Sequence, residues 1–215
     1  MTRLFGLKAM GCSSSSAKLQ EHQARFSTAS FLSAGTVWSG CPAVGGVVRA
    51  THSSGNDSTI QTAEGTLQVK KKRKTVSCSD ETGVTVFLVY RESVGNFFTC
   101  TPSTWSVWAA KGAREGQEPE EAPSGDKLFR RGKFTLKPTD APLDVFDDQG
   151  SLMLRVKIIS YSACVIFGPD GTSPAATVED MMSGSGAKFC GTVTCAVGID
   201  SLLALAAANA ALSMQ

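Results

Sequence analysis

Few stretches of this sequence carry side chains whose type and spacing suit them to chemistry or binding. The densest is Lys70-Lys71-Lys72-Arg73-Lys74, five consecutive cations with no aromatic residue between them. Near an anionic bilayer each such cation is worth about 1 kcal/mol of attraction. Two other readings stand beside that one, a charged strand edge that discourages aggregation and a nuclear-import signal. The second stretch is Met10-Gly11-Cys12-Ser13-Ser14-Ser15, which fits the pattern for myristoylation with a cysteine next to the glycine. If translation begins at Met10, Gly11 would take myristate and Cys12 palmitate. Two acyl chains anchor a protein stably where one holds it only marginally. The same region, residues 1–30, is Ser-rich with no acid before Glu21, so it also reads as a disordered tail or, as a lesser alternative, an organelle transit peptide.

Other chemistry is poorly supported. The chain has only two histidines, His22 and His52, so the usual general base and commonest metal ligand are nearly lacking. Its seven cysteines, Cys12, Cys41, Cys78, Cys100, Cys164, Cys190 and Cys195, form no C-x-x-C pair and no zinc spacing. They read as buried small hydrophobes in a reducing compartment. No nucleophile–base pair, phosphate loop or metal cluster stands out, so neither an enzyme nor a cofactor is expected. A formal charge of +2 and a pI near 8.2 are too mild for nucleic-acid binding by the whole protein. Arg91, Arg130, Arg131 and Lys133 lie on or beside expected strands and are candidates to converge on the basic run. Trp105 and Trp108 are read as core, with a membrane-contacting rim as the alternative, and Asp147-Asp148 as a turn, because the spacing of a calcium loop is missing.

The elements that must position these residues are mostly strands. From Phe31 onward, short alternating runs are bounded by Gly, Pro, Asn and Asp. Strands are expected at Val47–Thr51, Thr59–Thr62, Thr66–Lys70, Val84–Tyr90, Asn96–Thr101, Trp105–Ala109, Leu128–Leu136, Leu143–Phe146, Leu152–Ile158, Tyr161–Phe167, Ala175–Glu179 and Phe189–Cys195. In Leu152–Ile158 the even-numbered residues share an apolar face and Met153, Arg155 and Lys157 share the other. Turns are expected at Ala63-Glu64-Gly65, Asp147-Asp148-Gln149-Gly150 and Gly168-Pro169-Asp170-Gly171. Residues 110–126, rich in acids, Gly and Pro, read as an exposed, mobile loop. Because five consecutive side chains cannot all face water from a wall strand, Lys70–Lys74 should sit at a rim, a bulge or a strand end.

Near the end of the sequence lies Ile199–Met214, apolar on every face with one charge at its start. Such a helix has to be buried all round, and it is short of the ~20 apolar residues of a membrane span. A closed β-barrel around it satisfies both demands. Asp200 and Ser201 are candidate caps, and Asn209 needs a hydrogen-bond partner if buried.

Several stretches resemble the LURP-one-related family, which belongs with the tubby C-terminal domains and phospholipid scramblases. They are Leu143-Asp-Val-Phe146, Leu152-Met-Leu-Arg-Val-Lys157, Cys164-Val-Ile-Phe-Gly168 and Thr192-Val-Thr-Cys-Ala-Val-Gly-Ile-Asp200 followed by the apolar helix. Thr66–Ser77 resembles the family's strand that runs into basic and then apolar residues. The resemblance implies a mostly β fold, a closed antiparallel barrel of about twelve strands around a central hydrophobic C-terminal helix, over residues 31–215. By analogy with the superfamily it also implies binding of anionic phospholipid or phosphoinositide headgroups. No family lipid-contact positions match by motif, so the lipid-binding residues expected here are Lys70, Lys71, Lys72, Arg73 and Lys74. The expected location is the cytoplasmic face of the plasma membrane, without a transmembrane span, with nucleus or plastid as alternatives. The competing function is a signalling or scaffold protein acting through an unidentified protein partner.

Overall fold

The computed structural model describes residues 12–26, 46–54, 57–62, 65–95, 101–111, 116–136, 142–147, 149–181 and 191–212. In chain order the elements are α1 (Cys12–Gln23), β1 (Gly46–Ser54), β2 (Asp57–Thr62), β3 (Gly65–Lys71), β4 (Thr75–Ser79), β5 (Thr85–Ser93), β6 (Ser103–Ala109), β7 (Glu120–Glu121), β8 (Lys127–Leu136), β9 (Leu143–Asp147), β10 (Leu152–Ser160), β11 (Ala163–Phe167), β12 (Pro174–Glu179), β13 (Gly191–Cys195) and α2 (Ser201–Leu212). Twelve strands close into an antiparallel barrel: β1 pairs with β13, β6 pairs with β8, and the two-residue β7 hangs outside on β8. Closure removes the free edges that would otherwise invite aggregation.

Because every neighbouring pair is antiparallel, the turns alternate between two ends of the barrel. β1, β3, β5, β8, β10 and β12 run toward one pole, and the other strands return from it. The β3–β4 turn, the end of β5 and the β10–β11 turn therefore share the first pole. The β4–β5, β9–β10 and β11–β12 turns share the second, as does the link from β13 to α2.

Every residue of α2 is buried except Asn209, which is half-buried. Burial of Leu202, Leu203, Leu205 and Leu212 is worth about 1.5–3 kcal/mol each, while the alanines between them let the wall come close. The helix packs mainly on β9 to β13. Phe87, Trp105 and Phe134, from β5, β6 and β8, belong to the same core and fill its other side. Asp200 caps the helix: its Oδ1 accepts from the Leu203 N–H at 3.0 Å and its carbonyl from the Ala204 N–H at 2.9 Å. Asn209 Nδ2 donates to the Leu205 carbonyl at 3.0 Å, so the one polar side chain in the apolar run is satisfied within its own helix.

Several expectations are corrected. β4 is a strand that alternation did not reveal, because only Val76 and Cys78 in Thr75–Ser79 are apolar. Asn96–Cys100 lies outside the described residues, and Thr101 forms only an isolated bridge. In β10 a bulge between Leu152 and Leu154 inserts Met153, turning it into the core beside Leu154. Two residues then oppose one, and the strict alternation is broken. The loop at 110–126 is not wholly exposed. Glu120–Glu121 pairs with β8, and Ala122 is buried with Leu88, Trp108 and Leu128 on the outer wall. Within the stretch read as a disordered or targeting tail, Cys12–Gln23 is a helix. Leu19 is buried against Ala163 and Val165, and Gln23 Nε2 donates to Thr177 Oγ1 at 2.8 Å. One well-placed leucine and a cross-element hydrogen bond hold it in spite of a polar composition.

Candidate functional site

The basic run does not continue a wall strand. Lys70 and Lys71 end β3, and Lys72, Arg73 and Lys74 form the turn into β4. A reciprocal backbone pair closes that turn, Lys72 N–H to the Thr75 carbonyl at 2.8 Å and Thr75 N–H to the Lys72 carbonyl at 3.3 Å. Lys70, Lys72, Arg73 and Lys74 are exposed and Lys71 is half-buried. Alternation explains the pattern. Val69 points into the core, so Lys70 points out, Lys71 turns back toward the rim, and the remaining three leave the wall altogether.

Of the four further basic candidates, one joins this tip. Arg91, near the end of β5, donates its N–H to the Lys74 carbonyl at 2.7 Å and its Nη2 to the Arg73 carbonyl at 3.3 Å. It shares interior parity with Val89 and Trp105, so it reaches the tip from the inner side of the rim. The guanidinium thus braces the turn while adding charge beside it. Arg130 is engaged elsewhere, with Nη2 2.9 Å from Glu92 Oε1 and the guanidinium 5.9 Å above the Trp108 ring. Arg131 is the extra residue of a bulge in β8 and is buried. Lys133 is exposed on the outer wall.

Across the strand from Lys70 stands Asp57. Glu92 is occupied by Arg130, so of these two carboxylates only Asp57 stands against the five cations of the run. Trp105 and Trp108 are both buried, on opposite faces of β6, Trp105 in the barrel core and Trp108 in the outer cluster. Asp147 is a turn residue whose Oδ1 accepts from the N–H groups of Gln149 and Ser151 at 2.9 and 2.8 Å.

Gly11 lies outside the described residues, and Cys12 is the first residue of α1. Leu19 packs on Ala163 and Val165, and His22, one turn on, sits edge-on to Phe167 with ring centres 5.9 Å apart. β11 runs from Ala163 at the basic pole to Phe167 at the other, so the first turn of α1 lies on the basic-pole side.

The buried cysteines Cys78, Cys164 and Cys195 are not joined in disulfides. Burial pushes Cys164 up to about 12, and burial together with the nearby Asp200 charge raises Cys195 further. Neither is poised as a thiolate nucleophile. No group of three metal-ligating side chains occurs among the described residues. No helix among them is long and apolar enough to cross a membrane.

Two apolar residues at the same pole escape a reading of the sequence. Val94, just beyond β5, is 68% exposed, and Tyr161, in the β10–β11 turn, is 77% exposed. The available signal is local: each is an apolar or aromatic side chain set among turn residues, Ser93-Val94-Gly95 and Ser160-Tyr161-Ser162.

No protein-family model and no curated protein matches the chain. A protein from Arabidopsis thaliana solved by X-ray crystallography superposes with a TM-score of 0.49 at 15% identity, over 81% of this chain and 94% of that one.

Proposed function

We propose that this chain is a tubby-like, LURP-one-related barrel that acts without catalysis, associating with membranes by binding anionic phospholipid or phosphoinositide headgroups. The observation that carries the reading is the isolation of Lys72, Arg73 and Lys74 in an exposed turn at one pole, flanked by Lys70 and Lys71 and braced by Arg91. A cationic tip held clear of its own wall can approach phosphates without desolvating the barrel, and several such charges act together near a surface. With translation beginning at Met10, acylation of Gly11 and Cys12 would add a second attachment. Such a protein would work at the inner face of the plasma membrane.

The test is flotation of the full chain with three vesicle types: neutral phosphatidylcholine, phosphatidylcholine with phosphatidylserine, and the latter with added phosphoinositide. Flotation only with anionic vesicles, increased by phosphoinositide and lost in high salt, is the expected result. Equal recovery with neutral and anionic vesicles overturns the electrostatic reading. Failure to float with any of them favours the signalling or scaffold alternative.

A further inference from the structure

We infer that the barrel meets an anionic bilayer end-on, pole first, with Val94 and Tyr161 as the apolar contacts that flank the basic tip. The inference rests on the reading above and adds an orientation and two residues to it. Exposed apolar side chains alone decide nothing, since lone ones are common on any surface. Both poles carry them: Val94 and Tyr161 at the first, Val47, Val84 and Val197 at or beside the second. Charge separates the two. The second pole and the flap beside it present Asp80, Glu81, Glu120, Glu121, Asp126 and Asp170, with Lys111 and Lys127 opposing them.

Two of these acids are fixed as anions. The Thr82 hydroxyl, with backbone N–H groups of the same turn, lowers Asp80. Hydrogen bonds from Ser173, side chain and backbone, hold Asp170 down to about 2. An anionic surface repels this pole, whatever its valines would gain. The formal charge of +2 conceals that polarity, because the cations and the acids largely cancel in the sum.

At the first pole the geometry is that of a footprint. Val94 lies three residues beyond Arg91, whose backbone is bonded to Lys74, so cation and apolar side chain share one corner of the rim. Tyr161 belongs to the β10–β11 turn, half-way round the ring from β3 and β4. Two contacts near each other and a third across the opening fix a plane, which a single basic hairpin would not. Acids stand at this pole too: Asp57 lies across from Lys70, Glu92, between Arg91 and Val94, is paired with Arg130, and Glu179 and Asp180 precede Met181, whose N–H donates to the Ser162 carbonyl beside Tyr161; the six cations Lys70–Lys74 and Arg91 outnumber these four. Tyrosine suits such a position because its ring tolerates the headgroup layer while its hydroxyl stays wet.

Vesicles of phosphatidylcholine and phosphatidylserine with brominated acyl chains test the orientation. Full-length Val94→Trp, Tyr161→Trp and, at the other pole, Val84→Trp are each compared with the unsubstituted chain for flotation and for quenching of tryptophan emission. The expected result is undiminished flotation of all three, with loss of the added emission for Val94→Trp and Tyr161→Trp and none for Val84→Trp. Quenching at Val84→Trp, or at none of the three while the proteins still float, overturns the end-on orientation and leaves lipid binding itself standing. Failure of the unsubstituted chain to float overturns both.

Discussion

Leu205 is the sharpest place to perturb the core. It sits at the middle of α2, fully buried. A Cβ built on Gly191 would lie 3.6 Å from its Cδ1, beside Met181 and the Glu179 carbonyl. Leu205→Ala leaves a void that the surrounding strands cannot close, since barrel closure fixes their spacing. Such truncations cost about 2–5 kcal/mol, and for a chain of this size each kcal/mol lowers Tm by about 2–4 °C. The product is a fall of about 4–20 °C, readable by near-UV circular dichroism or calorimetry. Leu205→Asp goes further, because it buries a charge without a partner, and it should yield no folded protein at all. A soluble Leu205→Asp protein with unchanged Tm would refute the reasoning by putting α2 outside the barrel.

Three further outcomes follow from the same packing. Asp200→Ala removes the acceptor for the Leu203 N–H and should cost about 0.5–2 kcal/mol by urea denaturation, with Asp200→Asn retaining most of the stability. Gly191→Ala should destabilise, because its φ of +145° disfavours a side chain and a Cβ would stand 2.9 Å from Met181 Cγ; an unchanged urea midpoint would contradict the clash. Asp170, held at about 2 against an ordinary 3.8 mainly by Ser173, binds protons less readily folded than unfolded. Its contribution is therefore present above pH about 4 and disappears as pH falls toward 2. Asp170→Asn should accordingly narrow the difference between urea midpoints at pH 5 and pH 2.5.

The barrel was legible where one wall faced core and the other faced water. Leu67 and Val69 in β3, and Leu154 and Val156 in β10, repeat with period two and announce their strands. The helix was legible because an all-round apolar stretch of that length has no place except inside a closed wall. Where two residues crowd one side at Met153 and Leu154, or where Thr75–Ser79 offers too few apolar side chains, pairing with neighbours decides the conformation and local pattern does not. α1 depends on Leu19 finding Ala163 and Val165, more than a hundred residues away in sequence, which no local rule reports. Alternation took Lys70–Lys74 out of the wall, to a rim, a bulge or a strand end, and the run lies at the end of β3 and in the turn after it. Bracing by Arg91, and the shared pole of Val94 and Tyr161, required the order of the strands around the ring.

The most direct test of a cationic tip as the lipid-binding element is the partition coefficient of the full chain onto phosphatidylserine-containing vesicles, with Lys72, Arg73 and Lys74 replaced together by Gln. All three lie in an exposed turn, so Tm should not move. At about 1 kcal/mol per cation the loss is about 3 kcal/mol, or about two decades in partitioning. A hundredfold fall at unchanged Tm is the predicted result. Partitioning equal to that of the unsubstituted chain would contradict the account.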